Sequence, residues 1–80
     1  MERLSGSEKT VGLKQVRRAV TEGHAAVVFL ACDADPRLTE PLDDLCREHK
    51  VEAVWDYTMA QLGKACRITV GASVVVVLQE

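Results

Sequence analysis

Two uninterrupted apolar runs limit what this chain can fold into. Ala25 to Ala31 reads A-A-V-V-F-L-A, and Val74 to Leu78 reads V-V-V-V-L. Their length and β-branched content predict strands, and the absence of polar alternation predicts burial on both faces. Such strands need helices above and below them. Eighty residues make one small domain, so that core must be efficient, and a hydrophobic content of 48% supplies it.

The segments between the runs supply the rest. Residues 1–8 are expected to be a loose tail or a frayed short helix, with the domain over 9–80. Residues 9–11 predict a short edge strand. A helix fits 13–22 and stops at Gly23, a good residue for the position after a helix end. Asp33-Ala34-Asp35-Pro36 ends the first apolar run as a turn. A second helix is expected over 39–50, capped by Thr39 with Pro41 in its first turn. Leu42, Leu45, Cys46 and His49 would form its inner stripe. Val51, Ala53, Trp55 and Tyr57 alternate as a strand. Thr58-Met59-Ala60-Gln61 has the pattern of a capping box, opening a helix to about Cys66. Residues 67–73 form a loop before the last strand. The order β-α-β-α-β-α-β predicts a three-layer α/β/α sandwich around a four-stranded mixed sheet.

Charge and motif content exclude several classes. The net charge of −2 argues against a generic, uniformly basic nucleic-acid binder, although the acids concentrate between Asp33 and Glu52 while Lys9, Lys14, Arg17 and Arg18 lie early. Cys32, Cys46 and Cys66 form no C-x-x-C pair and match no zinc spacing, so reduced thiols, a cytoplasmic setting and no metal are expected. The first residues lack the apolar core of a signal peptide, and no run nears the roughly 20 residues of a membrane span. No nucleophile elbow, zincin or P-loop pattern is present. Asp33 and Asp35 read as turn and capping carboxylates, Cys32 as packing at a strand end and His24 as an exposed turn residue. No enzymatic activity and no cofactor are expected.

The start of the first helix bears on function. Gly12 opens it, and Lys14, Gln15 and Arg18 share one sector at 100° per residue. Leu13, Val16 and Val20 point the other way, toward a core. The free N–H groups and partial positive charge of a helix N-terminus suit phosphate, and Lys and Gln donors suit base edges. An ordinary amphipathic helix with a solvated polar face has the same pattern.

Four stretches occur in a telling order: Val11-Gly12-Leu13-Lys14-Gln15, Ala31-Cys32-Asp33-Ala34-Asp35-Pro36, Leu62-Gly63-Lys64-Ala65-Cys66 and Val70-Gly71-Ala72-Ser73-Val74. Over roughly residues 9–78 the chain resembles the L-seven-Ae/L-thirty-e ribosomal protein family, and most of all its small bacterial members. The resemblance implies binding to kink-turn RNA, the sharply bent motif built on tandem sheared G·A pairs. Lys14 and Gln15 would then contact guanine edges, and Gly12 would let the helix start approach the RNA backbone. Arg18 would meet base or phosphate. Asp35 would lie near the extruded nucleotide, with Ile68, Thr69, Val70 and Gly71 forming the loop against it. The implied partner is ribosomal RNA or a riboswitch kink-turn, with the ribosome as a further candidate, no membrane, and a monomeric protein.

Two residues depart from the resemblance. Cys32 stands where close bacterial relatives often carry a basic residue. Arg67 replaces a glycine common after Ala-Cys; if that position has a positive φ, Arg67 is strained by about 1 kcal/mol, or else it brings a new cation to the RNA. The competing reading is a protein-interaction module on the same fold, engaging Glu40, Asp43 and Asp44 of the acidic second helix.

Overall fold

The computed structural model describes residues 8–79. The expected tail falls outside that range except for Glu8, whose carbonyl accepts from the Leu78 N–H at 2.9 Å. The elements are β1 (Lys9–Val11), α1 (Leu13–Thr21), β2 (Ala25–Leu30), α2 (Pro36–Glu48), β3 (Glu52–Val54), α3 (Met59–Ala65) and β4 (Val74–Leu78). They form one mixed sheet in the order β1-β4-β2-β3.

The pairing directions place the functional end. Strands β1 and β2 both run antiparallel to β4, and β3 runs parallel to β2. The first three strands therefore share one direction, and each delivers the chain to a helix at the same end. Val11 pairs with Val75, Leu30 with Val74, and Phe29 with Val54, so that end also holds the start of β4. All three helices begin there.

Both faces of the sheet are covered, as the apolar runs require. Val16, Ala19 and Val20 of α1 and Leu42 and Cys46 of α2 pack on Val28, Leu30, Val74 and Val76. Leu62 of α3 packs on Val27, Phe29, Val75 and Val77 on the other side. The Phe29 and Tyr57 rings meet there at 5.7 Å. A bulge between Ala25 and Val27 leaves Ala26 exposed and turns Ala25 onto the α1 face.

All three helices end alike. The second residue past each C-cap donates to the carbonyl five residues earlier: His24 to Ala19, Val51 to Cys46 and Ile68 to Gly63. The residue before it takes a left-handed backbone: Gly23 at φ 77°, Lys50 at φ 58° and Arg67 at φ 60°. This is the Schellman motif, which glycine fills without strain. Of the two readings of Arg67, the condition for strain, a positive φ, is present.

Several expectations are corrected. Helix α2 starts at Pro36, not at 39. Asp35 is its cap and accepts from the Arg37 N–H, with proline at the first helical position. Thr39 is buried rather than capping, and Pro41 lies inside the helix. Strand β3 is three residues long; the chain leaves the sheet before Trp55, and the Tyr57 carbonyl instead accepts from the Cys32 N–H at 2.9 Å. His49 is exposed as the residue after α2, not part of the stripe. Leu13 is 37% exposed, because the core-facing side of α1 begins one turn later, at Val16.

Burial has a titration consequence. The Cys46 thiol lies fully inside the α2 core, which pushes its pKa up to about 11, with the Asp43 carboxylate adding to the effect. The unfolded chain releases that proton near the ordinary value of 9.0. The folded state thus holds more protons between these values, so stability is full below about pH 9 and falls as pH rises toward 11. Urea midpoints of the protein should drop between about pH 8 and pH 10.5, and the drop should shrink in Cys46→Ala. A midpoint that rises over this window would contradict the assignment.

Candidate nucleic-acid interface

The three helix starts at the shared end differ in how their free N–H groups are met. Asp35 caps α2 and is also gripped by Arg37, whose Nη2 lies 2.7 Å from Oδ2. The Arg37 guanidinium holds the Asp35 carboxyl below the usual carboxylate range. Thr58 and Gln61 form a complete capping box on α3. The Asp33 carboxylate also accepts from the Met59 N–H at 2.8 Å, tying the turn after β2 to the α3 start. Among the described helices α1 alone has no side-chain cap; like the other two, it has no acid in its first turn. Its first N–H groups face outward with the positive end of the helix dipole behind them.

Gly12 makes that start possible. Its φ of 119° is a conformation side chains rarely adopt, and a Cβ there would stand 2.5 Å from the Gln15 Oε1. Its N–H reaches the Val74 carbonyl at 3.5 Å, joining the α1 start to the end of the 67–73 loop. Lys14 and Gln15 are exposed on the first turn. Among the described residues Lys14 and Arg17 have no ion-pair partner, whereas Arg18 is held by Glu22 at 3.1 Å. Gln15 and Arg18 border a groove of about 250 Å³ between α1 and the β1 edge, with Thr10 and Leu78.

The loop forms the second part. Ile68, Thr69, Val70 and Gly71 line a cavity of about 610 Å³ together with Asp33, Met59, Lys64 and Arg67. Val70 stands out at 86% exposure, an apolar side chain aimed at solvent. The loop is held from behind. The Ile68 N–H donates to the Gly63 carbonyl at 2.7 Å, and the Ala72 N–H to the Met59 carbonyl at 3.0 Å. Gly63 and Gly71 touch: a Cβ on Gly63 would lie 2.5 Å from the Gly71 Cα.

Most of the expected site residues thus fall into two groups on one end of the molecule. Gly12, Lys14 and Gln15 lie at the α1 start and Ile68 to Gly71 line the cavity, with Val74 between them, while Arg18 sits a turn further along α1, on a groove that runs toward His24 and Leu78 at the other end. Asp35 belongs to neither lining; its carboxylate is occupied by α2 and Arg37. Asp33, Met59 and Lys64 join the cavity although sequence reasoning gave them no binding role. The spacing of Lys64 from the loop was the available signal. Among the described residues no group of three His, Cys, Asp or Glu side chains is placed to hold a metal, and no helix is long and apolar enough to cross a membrane.

Comparisons with known proteins identify relatives of this chain. The model of the ribosomal protein L7Ae/L30e/S12e/Gadd45 family matches residues 5–80. An RNA-binding protein of Geobacillus sp. (strain WCH70) is 38% identical over 76 residues, covering 95% of this chain and 93% of that protein. The RNA-binding protein YbxF of Geobacillus stearothermophilus is also 38% identical over 76 residues, with the same coverage. Among solved structures, the Giardia lamblia 15.5kD RNA binding protein superposes with a TM-score of 0.87 at 26% identity, over 99% of this chain and 67% of that one. The chain belongs to the L7Ae/L30e/S12e/Gadd45 family.

Proposed function

We propose that this protein is a non-catalytic RNA-binding protein that recognises and stabilises kink-turn RNA. Family membership and relatives that are RNA-binding proteins support the RNA partner. The observation that carries the finer reading is the uncapped, acid-free start of α1, set beside an apolar loop at the same end of the sheet. A kink-turn brings two phosphate backbones toward each other and unstacks bases at the bend. Free N–H groups with Lys14 and Arg17 meet the negative charge, and Lys14 and Gln15 reach the guanine edges of the G·A pairs. Ile68 and Val70 offer apolar contact to a nucleotide turned out of the stack. Arg18 contacts base or phosphate once released from Glu22, a surface pair worth little in water.

The protein acts by population shift. It binds the bent RNA better than the extended form and so favours it, with no bond made or broken. The proposed target is ribosomal RNA or a riboswitch kink-turn, met in the cytoplasm by a monomeric protein. The test is a gel-shift titration against a kink-turn duplex and against the same duplex with its G·A pairs changed to Watson–Crick pairs. Binding to the first alone is expected. Equal binding to both, or to neither at low salt, would overturn the reading.

A further inference from the structure

We propose that Arg67 is an additional RNA-phosphate contact, set on the rim of the loop cavity by the left-handed end of α3; this rests on the kink-turn reading above. Two of the three helix ends carry a non-glycine in the left-handed position, Lys50 and Arg67. Both are cations, and a cation near a helix C-terminus suits the dipole. That reason applies equally to both and so distinguishes neither.

Location separates them. Helix α2 runs from the functional end to the far end, where β3 begins, so Lys50 lies away from the α1 start and the loop. Arg67 follows the short helix α3, whose trailing loop folds back to Met59 through the Ala72 N–H. Arg67 therefore stays at the cavity, which it lines with Lys64, three residues earlier. Both side chains are exposed, and among the described residues neither has an ion-pair partner. Asp33 is the one carboxylate among the described residues that line this cavity, and it is engaged by the Met59 N–H. The cavity thus sets the cations Lys64 and Arg67 beside the apolar Met59, Ile68 and Val70, a combination that suits a nucleotide and its phosphate. The left-handed backbone points the Arg67 side chain out of the path a continuing helix would give it, at a steric cost glycine avoids. At Arg67 that cost places a planar, bidentate donor beside the RNA.

The experiment compares the parent with Arg67→Gly, Arg67→Lys and Lys50→Gly by kink-turn titration over a range of salt and by thermal unfolding. Both glycine variants relieve the same backbone strain, so their melting midpoints should be unchanged or raised. Arg67→Gly should weaken binding about five- to eightfold near 0.1 M salt and lower the salt slope by about 0.7–0.9, the share of one phosphate contact. Arg67→Lys should keep most of the slope, and Lys50→Gly should keep both affinity and slope. Parent-like affinity and slope in Arg67→Gly, or an equal loss in Lys50→Gly, would overturn the Arg67 contact while leaving the kink-turn reading intact. A parent that does not distinguish the kink-turn from its Watson–Crick control would overturn both.

Discussion

Replacing Lys14 and Gln15 together by alanine is expected to abolish kink-turn binding while leaving thermal unfolding nearly unchanged. Both side chains are exposed on the first turn of α1, and neither caps the helix. Exposed substitutions of this kind shift stability by within about 0.5 kcal/mol, and alanine is the best helix former. Two lost polar contacts to base edges, at about 1–3 kcal/mol each, weaken binding by about 30-fold or more. RNA affinity like the parent's in a folded double variant would remove α1 from the site.

The second large effect is expected at Gly63. Substitution by alanine would improve α3 by about 1 kcal/mol on helix propensity alone. Packing opposes it. The added Cβ would meet the Gly71 Cα at 2.5 Å and the Ile68 carbonyl oxygen at 2.9 Å. These are backbone atoms that cannot rotate away, so the 68–71 loop must move. Overpacking of this type costs about 1–3 kcal/mol, which outweighs the propensity gain. Gly63→Ala should therefore lower the melting midpoint and also weaken RNA binding by about tenfold or more, because the loop is displaced from the α1 start. A more stable variant with intact binding would show that the close Gly63–Gly71 approach does not position the loop.

These two sites differ in how far sequence could reveal them. The buried strands were legible because Val74 to Leu78 and Ala25 to Leu30 carry no polar alternation, and a covered sheet leaves few alternatives. The α3 start was legible because a capping box is a local device. The α2 start was misplaced because Thr39 is a plausible cap, yet Asp35, followed by Pro36, caps the helix four residues earlier and withdraws Thr39 into the core. Strand β3 was overextended because Trp55 and Tyr57 keep the alternation after the pairing with β2 has ended. His49 kept helical spacing but fell beyond the last turn.

In the site, Gly12, Lys14 and Gln15 were visible because a helix start is written in consecutive residues. For Arg67 the glycine that similar sequences carry there raises a left-handed backbone only as one of two readings, because a glycine is also compatible with an ordinary φ. The Gly63–Gly71 contact, the Asp33 carboxylate on the Met59 N–H and the cavity that joins Asp33 to Gly71 bring together residues distant in the chain. They depend on how α3 folds back on the sheet, which no local pattern records.

The measurement that tests the central claim most directly is that same titration with the two duplexes fluorescently labelled at both ends. Energy transfer should rise as protein is added to the kink-turn duplex, and stay flat for the duplex with Watson–Crick pairs in place of G·A. Such a rise reports both binding and the bend that the α1 start and the loop are proposed to hold. Binding without any rise in transfer, or no binding to either duplex at low salt, would contradict the account.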